Sequence, residues 1–120
     1  RIRGKNGAWT CFAQARERES QFVFYSVLDF NVPETRRQAV AEFLTRANYG
    51  LVIGNFEMDF DDGEVRYKTS IDVSGDRLTP ALIRQMVYIN LLTVDRYLPG
   101  ILKVAFGDAD PAQAIAEIEG

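Results

Sequence analysis

Most of the side chains that could do chemistry lie in one acidic stretch, GNFEMDFDDGEVRYK, at residues 54–68. Clustered carboxylates suggest a calcium site, because calcium prefers oxygen ligands. An EF-hand loop needs oxygen ligands at positions 1, 3, 5 and 12 and glycine at position 6. With Gly63 at position 6, positions 1, 3 and 12 are Met58, Phe60 and Thr69, which do not supply the required ligands. We therefore predict no metal site and no cofactor.

The same stretch fits a β-hairpin. Asp62 and Gly63 are a favoured pair for the centre of a two-residue type I′ turn, in which both residues take positive φ. On one face the flanking strands then pair charged residues: Asp61 with Glu64, Asp59 with Arg66, and Glu57 with Lys68. On the other face they pair Phe60 with Val65, Met58 with Tyr67, Phe56 with Thr69, and Gly54 with Ile71. Because two patterns agree on one register, we predict a structural hairpin.

The chain carries no evident catalytic centre. It has no histidine, the usual general base near neutral pH. The single cysteine, Cys11, lies between Trp9 and Ala13 in an alternating strand, a position typical of a buried, unreactive thiol. No glycine-rich phosphate loop is present. These observations predict a protein that is not an enzyme.

Two groups of residues could instead contact a partner. Asn90 and Asp95 are polar residues in an apolar segment, where they could make structural hydrogen bonds, fix a dimer seam or contact a ligand in a groove. The candidate seam consists of Met86, Asn90 and Val94. The candidate partner-binding surface lies at the entry and on the polar face of the hairpin: Asn48, Tyr49, Asn55, Glu57, Asp59, Arg66 and Lys68.

The length and composition predict a single domain over residues 1–120. The chain is 47% hydrophobic, enough for one core, and its net charge of −3 argues against nucleic-acid binding. No segment approaches the roughly 18 apolar residues of a membrane span, so we expect no membrane association. A single cysteine fits a reducing compartment, and we expect a cytoplasmic protein. Because Arg1 stands within a basic, polar segment, we expect that part of the natural chain precedes it.

The first predicted elements are two strands and a helix. The strands flank the charged turn at residues 16–20, with Arg16 opposite Gln21 and aromatic side chains on both faces. We expect a helix, a missing segment or another subunit to cover the second face. The helix begins near Pro33 and ends at Gly50, with a charged outer face that includes Arg36, Arg37, Glu42 and Arg46. Its apolar stripe is Val40, Phe43, Leu44 and Ala47.

A long helix follows the hairpin, with Thr79 as its cap and Pro80 in its first turn. It is apolar nearly all the way round, so we expect burial on more than one side, between the sheet and a second copy of the protein. Pro99 and Gly100 are expected to kink or end it, with the segment ILKVAF as a possible continuation. A short last helix is predicted to begin at Asp110 and Pro111.

The segments RANYGLVIGNFEMDFDDGEVRYK and DRYLPGI resemble the YbjN family, described as bacterial sensory transduction regulators. That family resembles type III secretion chaperones in fold. The resemblance implies an α+β domain with a twisted antiparallel sheet flanked by helices, paired as a homodimer. It also implies a helix, with or without a strand, before or around Arg1, and a partner segment laid on the sheet or helix surface.

These observations lead to one expectation and one alternative. The expectation is a non-enzymatic, chaperone-like or regulatory module that forms a homodimer and binds a protein whose identity the sequence does not reveal. The alternative is a small-molecule sensor that holds its ligand between the sheet and the long helix. An apolar pocket lined by Tyr67, Tyr88 and Asn90 would favour the alternative.

Overall fold

A computed structural model describes all 120 residues. It contains one five-stranded antiparallel sheet in the order β1-β2-β3-β5-β4, together with three α-helices. The strands are β1 (Ile2–Arg3), β2 (Ala8–Arg16), β3 (Gln21–Asn31), β4 (Asn55–Met58) and β5 (Glu64–Asp72). The helices are α1 (Arg37–Gly50), α2 (Pro80–Phe106) and α3 (Pro111–Glu119). This architecture confirms the predicted α+β class. No helix combines the length and apolarity that crossing a bilayer requires.

The first hairpin, β2 with β3, has the predicted register. Arg16 lies opposite Gln21, and Phe12 lies opposite Tyr25. A short 3-10 helix (Glu17–Glu19) forms the tip, and Ser20 completes it with a φ of 56°. The second face of this strand pair has no helix over it, and Phe12 is 57% exposed. The expectation that a segment or subunit covers this face stays a prediction.

The second hairpin, β4 with β5, differs from the prediction by two residues. Glu57 lies opposite Arg66 instead of Lys68, and Met58 lies opposite Val65. The N–H of Asp59 donates to the carbonyl of Glu64 at 2.9 Å, so the loop spans residues 60–63 instead of two residues. Side chains alternate with a period of two, so this shift leaves every residue on its predicted face.

Contacts with the chain before α1 explain the wider loop. The N–H of Val32 donates to the carbonyl of Gly63 at 2.8 Å, and the Arg37 guanidinium donates to the carbonyl of Phe60 at 3.1 Å. Only Gly63 has positive φ in this loop, at 79°. The prediction of a two-residue turn was therefore wrong, because it considered only the hairpin and not the hydrogen bonds that Val32 and Arg37 make to it.

Helix α1 follows a short 3-10 turn (Glu34–Arg36) and buries the predicted apolar stripe. The four stripe residues are all buried: Val40, Phe43, Leu44 and Ala47. On the outer face, Glu42 and Arg46 form an exposed ion pair at 2.8 Å. The expected solvation of Arg36 is wrong, because its guanidinium donates to the carbonyls of Val104 and Ala109 at 2.8 and 2.9 Å. It thereby satisfies one carbonyl in the last turn of α2 and one in the segment between α2 and α3.

Helix α2 begins as predicted, with the Leu82 N–H donating to the Thr79 hydroxyl at 3.2 Å. It continues through Pro99 to Phe106. Proline has no N–H to bond the carbonyl four residues earlier, and here the Asn6 side-chain amide donates to that Asp95 carbonyl at 2.8 Å. The last helix is also confirmed, with the Gln113 N–H donating to the Asp110 carboxylate at 3.0 Å.

One side of the second half of α2 is buried by its own chain. A Cβ at Gly100 would lie 2.6 Å from both Phe43 and Ile118, so α1 and α3 approach α2 closely at this point. On the other side, Leu102 and Phe106 are exposed. In the first half, Tyr88 is 64% exposed and Leu92 is 53% exposed.

Candidate protein-interaction surface

Asn48 joins the end of α1 to the edge strand β4. Its side-chain amide donates to the carbonyl of Phe56 at 3.0 Å, and its carbonyl oxygen accepts the Phe56 N–H at 2.7 Å. Both backbone groups of Phe56 are thus satisfied, as a neighbouring strand would satisfy them. Asn55, also predicted in the surface, lies beside Phe56 and makes a weaker contact with its carbonyl at 3.3 Å.

In the last turn of α1 and in the segment that joins it to β4, the chain exposes three large apolar side chains, Tyr49, Val52 and Ile53, which we call the apolar loop. Tyr49 is 95% exposed and Val52 is 92% exposed. The backbone around them is nevertheless fixed: the Leu51 N–H donates to the Asn48 carbonyl at 3.1 Å. At the other end of the loop, the buried Tyr67 hydroxyl donates to the Ile53 carbonyl. Exposed apolar side chains on an ordered loop are typical of a binding site.

A compact charged group lies next to this loop, on the sheet face opposite the helices. The Glu57 carboxylate accepts hydrogen bonds from Arg66 at 2.7 Å and from Lys68 at 3.1 Å. Partial burial acts to raise the pKa of Glu57, but the two cationic donors outweigh it and hold the pKa below its ordinary value. The Arg66 guanidinium also lies 4.6 Å from the centre of the Tyr25 ring. The charged groups of Glu57, Arg66 and Lys68 are thus paired with one another.

The seven predicted surface residues lie at the β4 end of the sheet. Among them, Asp59 lies directly before the hairpin loop, and its carboxylate accepts the Asp61 N–H at 2.8 Å. The structure brings no three histidine, cysteine or acidic side chains together in a way that could hold a metal. Sequence reasoning missed Val52 and Ile53. The available signal was the pair of glycines, Gly50 and Gly54, that flanks residues 51–53, because glycine marks turns and loops.

The predicted seam residues Met86, Asn90 and Val94 face the protein's own sheet and are all buried. The Ser26 hydroxyl donates to the Asn90 carbonyl oxygen at 2.6 Å, and accepts from the Trp9 indole at 2.9 Å. The Asn90 amide donates to the Thr69 hydroxyl at 3.1 Å, and to two strand carbonyls. The structural role for Asn90 holds, and the assignment of these three residues to a seam between two copies is wrong.

Asp95, which the sequence analysis singled out together with Asn90, also has a structural role. The Asp95 carboxylate accepts the backbone N–H groups of Lys5 and Asn6 at 3.0 and 2.8 Å, and so fixes the turn between β1 and β2. The predicted ligand pocket does not form, because Tyr67 and Asn90 are buried inside the core while Tyr88 is exposed on the outer side of α2. Burial raises the pKa of Tyr67 above its ordinary value.

Fold and surface together define an α+β domain with an ordered apolar loop at one end of its sheet. The family model YbjN, described as "Putative bacterial sensory transduction regulator", matches residues 1–103. Because this match covers most of the chain, the protein belongs to the YbjN family. No curated protein and no solved structure matches the chain.

Proposed function

We propose that this YbjN-family domain is a non-enzymatic protein-interaction module, chaperone-like or regulatory, that binds a partner protein through the apolar loop. One observation carries the proposal: Tyr49 and Val52 are 95% and 92% exposed on a backbone that hydrogen bonds fix at both ends. Burying a large apolar side chain contributes about 1.5–3 kcal/mol. Because the loop is already ordered, little of that gain is lost to ordering it.

The neighbouring contacts indicate how a partner would dock. An added strand would need free backbone groups on the outer edge of β4, and Asn48 already occupies both groups of Phe56. The charges of Glu57, Arg66 and Lys68 are paired among themselves and offer a polar rim. The surface therefore favours a partner with an apolar pocket that receives side chains of the loop.

A photo-reactive amino acid at position 52 tests this proposal in native cells, with the same amino acid at the exposed Ser74 as the control. We expect one protein to be captured from position 52 and not from position 74. The captured protein is then purified, and its affinity for the unmodified domain is measured by calorimetry.

With the purified partner, Val52→Asp and Tyr49→Ala are each expected to raise the Kd at least about tenfold, as interface anchors do. Ser74→Asp is the matched control and should leave the Kd unchanged. If Val52→Asp binds as tightly as Ser74→Asp, the apolar loop is not the binding site.

A further inference from the structure

The turn between β1 and β2 contains the one Asn-Gly pair of the chain, Asn6 and Gly7. In such a pair the backbone nitrogen of the glycine can attack the side-chain carbonyl carbon of the asparagine, because glycine has no Cβ to hinder the approach. Asn6 is exposed to solvent. The Gly7 N–H donates to no backbone carbonyl, so the attacking nitrogen is free to lose its proton to water.

The same turn is docked on α2 through Asp95. The backbone N–H groups of Asn6 and Lys5 donate to the Asp95 carboxylate at 2.8 and 3.0 Å. The Asn6 side-chain amide donates to the Asp95 carbonyl at 2.8 Å, and this is the carbonyl that Pro99 leaves without its helical partner. The nitrogen that would leave as ammonia is therefore held in place as long as the turn is docked.

We propose that Asn6 is a site of spontaneous deamidation, and that its docking on Asp95 sets the rate. The Gly7 nitrogen loses its proton and bonds to the side-chain carbon of Asn6, and ammonia leaves, which gives a cyclic imide. Water then adds to either imide carbonyl and opens the ring to aspartate or to isoaspartate. The net reaction consumes water and releases ammonia, and it needs no enzyme, cofactor, oxidant or reductant.

Asn31 provides a comparison within the same chain. Its side chain is also exposed, and its amide also donates to a backbone carbonyl, at 3.0 Å. The residue that follows is Val32, whose branched side chain obstructs the attack. The Val32 N–H is also already bonded to the Gly63 carbonyl at 2.8 Å. Exposure and a bound amide are thus common to both asparagines, and only Asn6 has a free and unhindered nitrogen after it.

Deamidation would weaken the docking of the turn. A carboxylate at position 6 donates no hydrogen bond, so the Asp95 carbonyl loses the donor that replaces the missing Pro99 N–H. The new negative charge also lies beside the Asp95 carboxylate, which repels it. Isoaspartate, in addition, lengthens the backbone of the turn. Folded molecules therefore lose this contact as they age. The process is independent of the apolar loop, because β1 and β4 lie at opposite ends of the strand order.

Peptide mass spectrometry tests the proposal. The folded chain is incubated at neutral pH and sampled over time, and the conversion of each asparagine to its acid is measured after digestion. We expect Asn6 to convert at least about tenfold faster than Asn31. The rate at Asn6 should rise with pH, because the attacking nitrogen must lose a proton. Equal rates at the two positions, or no conversion at Asn6, would overturn the proposed site.

Asp95→Ala tests whether docking sets the rate. A reaction that proceeds through a locally opened form follows the population of that form, so the rate at Asn6 should rise at least about threefold. The rate at Asn31 is the control for folding and should not change. If alanine unfolds the domain, both rates rise, and Asp95→Asn, which keeps an oxygen acceptor, replaces it with a smaller expected increase at Asn6 alone. An unchanged rate at Asn6 in a folded variant would show that docking does not protect the site.

Asn6→Asp reproduces one product and tests its effect on the fold. It should lower the melting temperature by at least about 3 °C. Gln14→Glu makes the same change from amide to acid at an exposed side chain of β2, and should leave the melting temperature unchanged within about 1 °C. If both variants melt like the wild type, deamidation does not loosen the turn, and that part of the proposal is refuted.

Discussion

Replacing Asn90 by alanine should measurably lower the free energy of unfolding of this domain. The Asn90 side chain is fully buried and makes hydrogen bonds to β3 and β5: its carbonyl accepts from Ser26, and its amide donates to Thr69. Ser26 also accepts from the Trp9 indole, which links this group to β2. The substitution removes the contacts of the Asn90 side chain and leaves a cavity beside them.

The magnitude follows from the group left without a partner. The Ser26 hydroxyl loses the oxygen to which it donates, which costs about 1–3 kcal/mol for a buried polar group. The Thr69 hydroxyl still donates to the Met86 carbonyl at 3.2 Å and is not counted. A domain of this size has a free energy of unfolding of about 5–15 kcal/mol, so Asn90→Ala is expected to remove about a fifth of it.

Urea denaturation followed by tryptophan fluorescence measures the effect, because Trp9 belongs to the same network. We expect a lower midpoint at an unchanged slope. Gln85→Ala, at an exposed polar residue on the same helix, is the control and should change stability by less than about 0.5 kcal/mol.

Ser26→Ala keeps the test informative if Asn90→Ala does not fold. It should cost about 1–3 kcal/mol, and less once Asn90 is already alanine, because the two residues share one hydrogen bond. A loss below about 1 kcal/mol for Asn90→Ala at an unchanged slope would refute the argument that this network holds α2 to the sheet.

Three further predictions concern the second hairpin. Glu57→Gln should lower stability at neutral pH by about 0.5–1 kcal/mol. Because the pKa of Glu57 is depressed in the folded protein, its carboxylate stabilises the fold above the ordinary glutamate pKa, and this effect is lost as the pH falls through the folded pKa. The free energies of unfolding of the wild type and of Glu57→Gln, measured as a function of pH, should therefore converge in acid. Gly63→Ala should destabilise more than Gly75→Ala in thermal melts: both glycines have positive φ, but only at Gly63 would a Cβ collide with the Val32 carbonyl. A chelator should leave the melting temperature unchanged, and a fall of more than a few degrees would indicate that the acidic loop holds a metal after all.

Local patterns predicted the first hairpin because they allow one solution. The charged tip is short, and apolar alternation on both strands fixes Arg16 opposite Gln21. The second hairpin was predicted with the correct faces and the wrong register, since a shift of two residues changes no face. The register depends on hydrogen bonds from Val32 and Arg37, which alternation within the hairpin does not contain.

Only part of the candidate surface was predicted, and the rest was missed for a similar reason. Tyr49 and the charged residues of the hairpin stand out by type, and the structure places them together at the β4 end. Val52 and Ile53 resemble core residues of a strand, so composition alone did not mark them as exposed. Their backbone is fixed by the Tyr67 hydroxyl and by Asn48, which are distant in sequence from the loop or lie in the preceding helix, so the pattern within residues 51–53 does not contain this information.

Apolarity around α2 was visible in the sequence, but the neighbour on each side was not. The inner side is buried by the sheet around Asn90, and one side of the second half is covered by α1 and α3, which meet it at Gly100. The outer side of the first half stays exposed, with Tyr88 at 64% and Leu92 at 53%. All of these residues look alike in an apolar helix sequence, because periodicity within α2 does not say which element packs on which side. The buried role of Asn90 therefore becomes visible only once β3 and β5 are placed beside it.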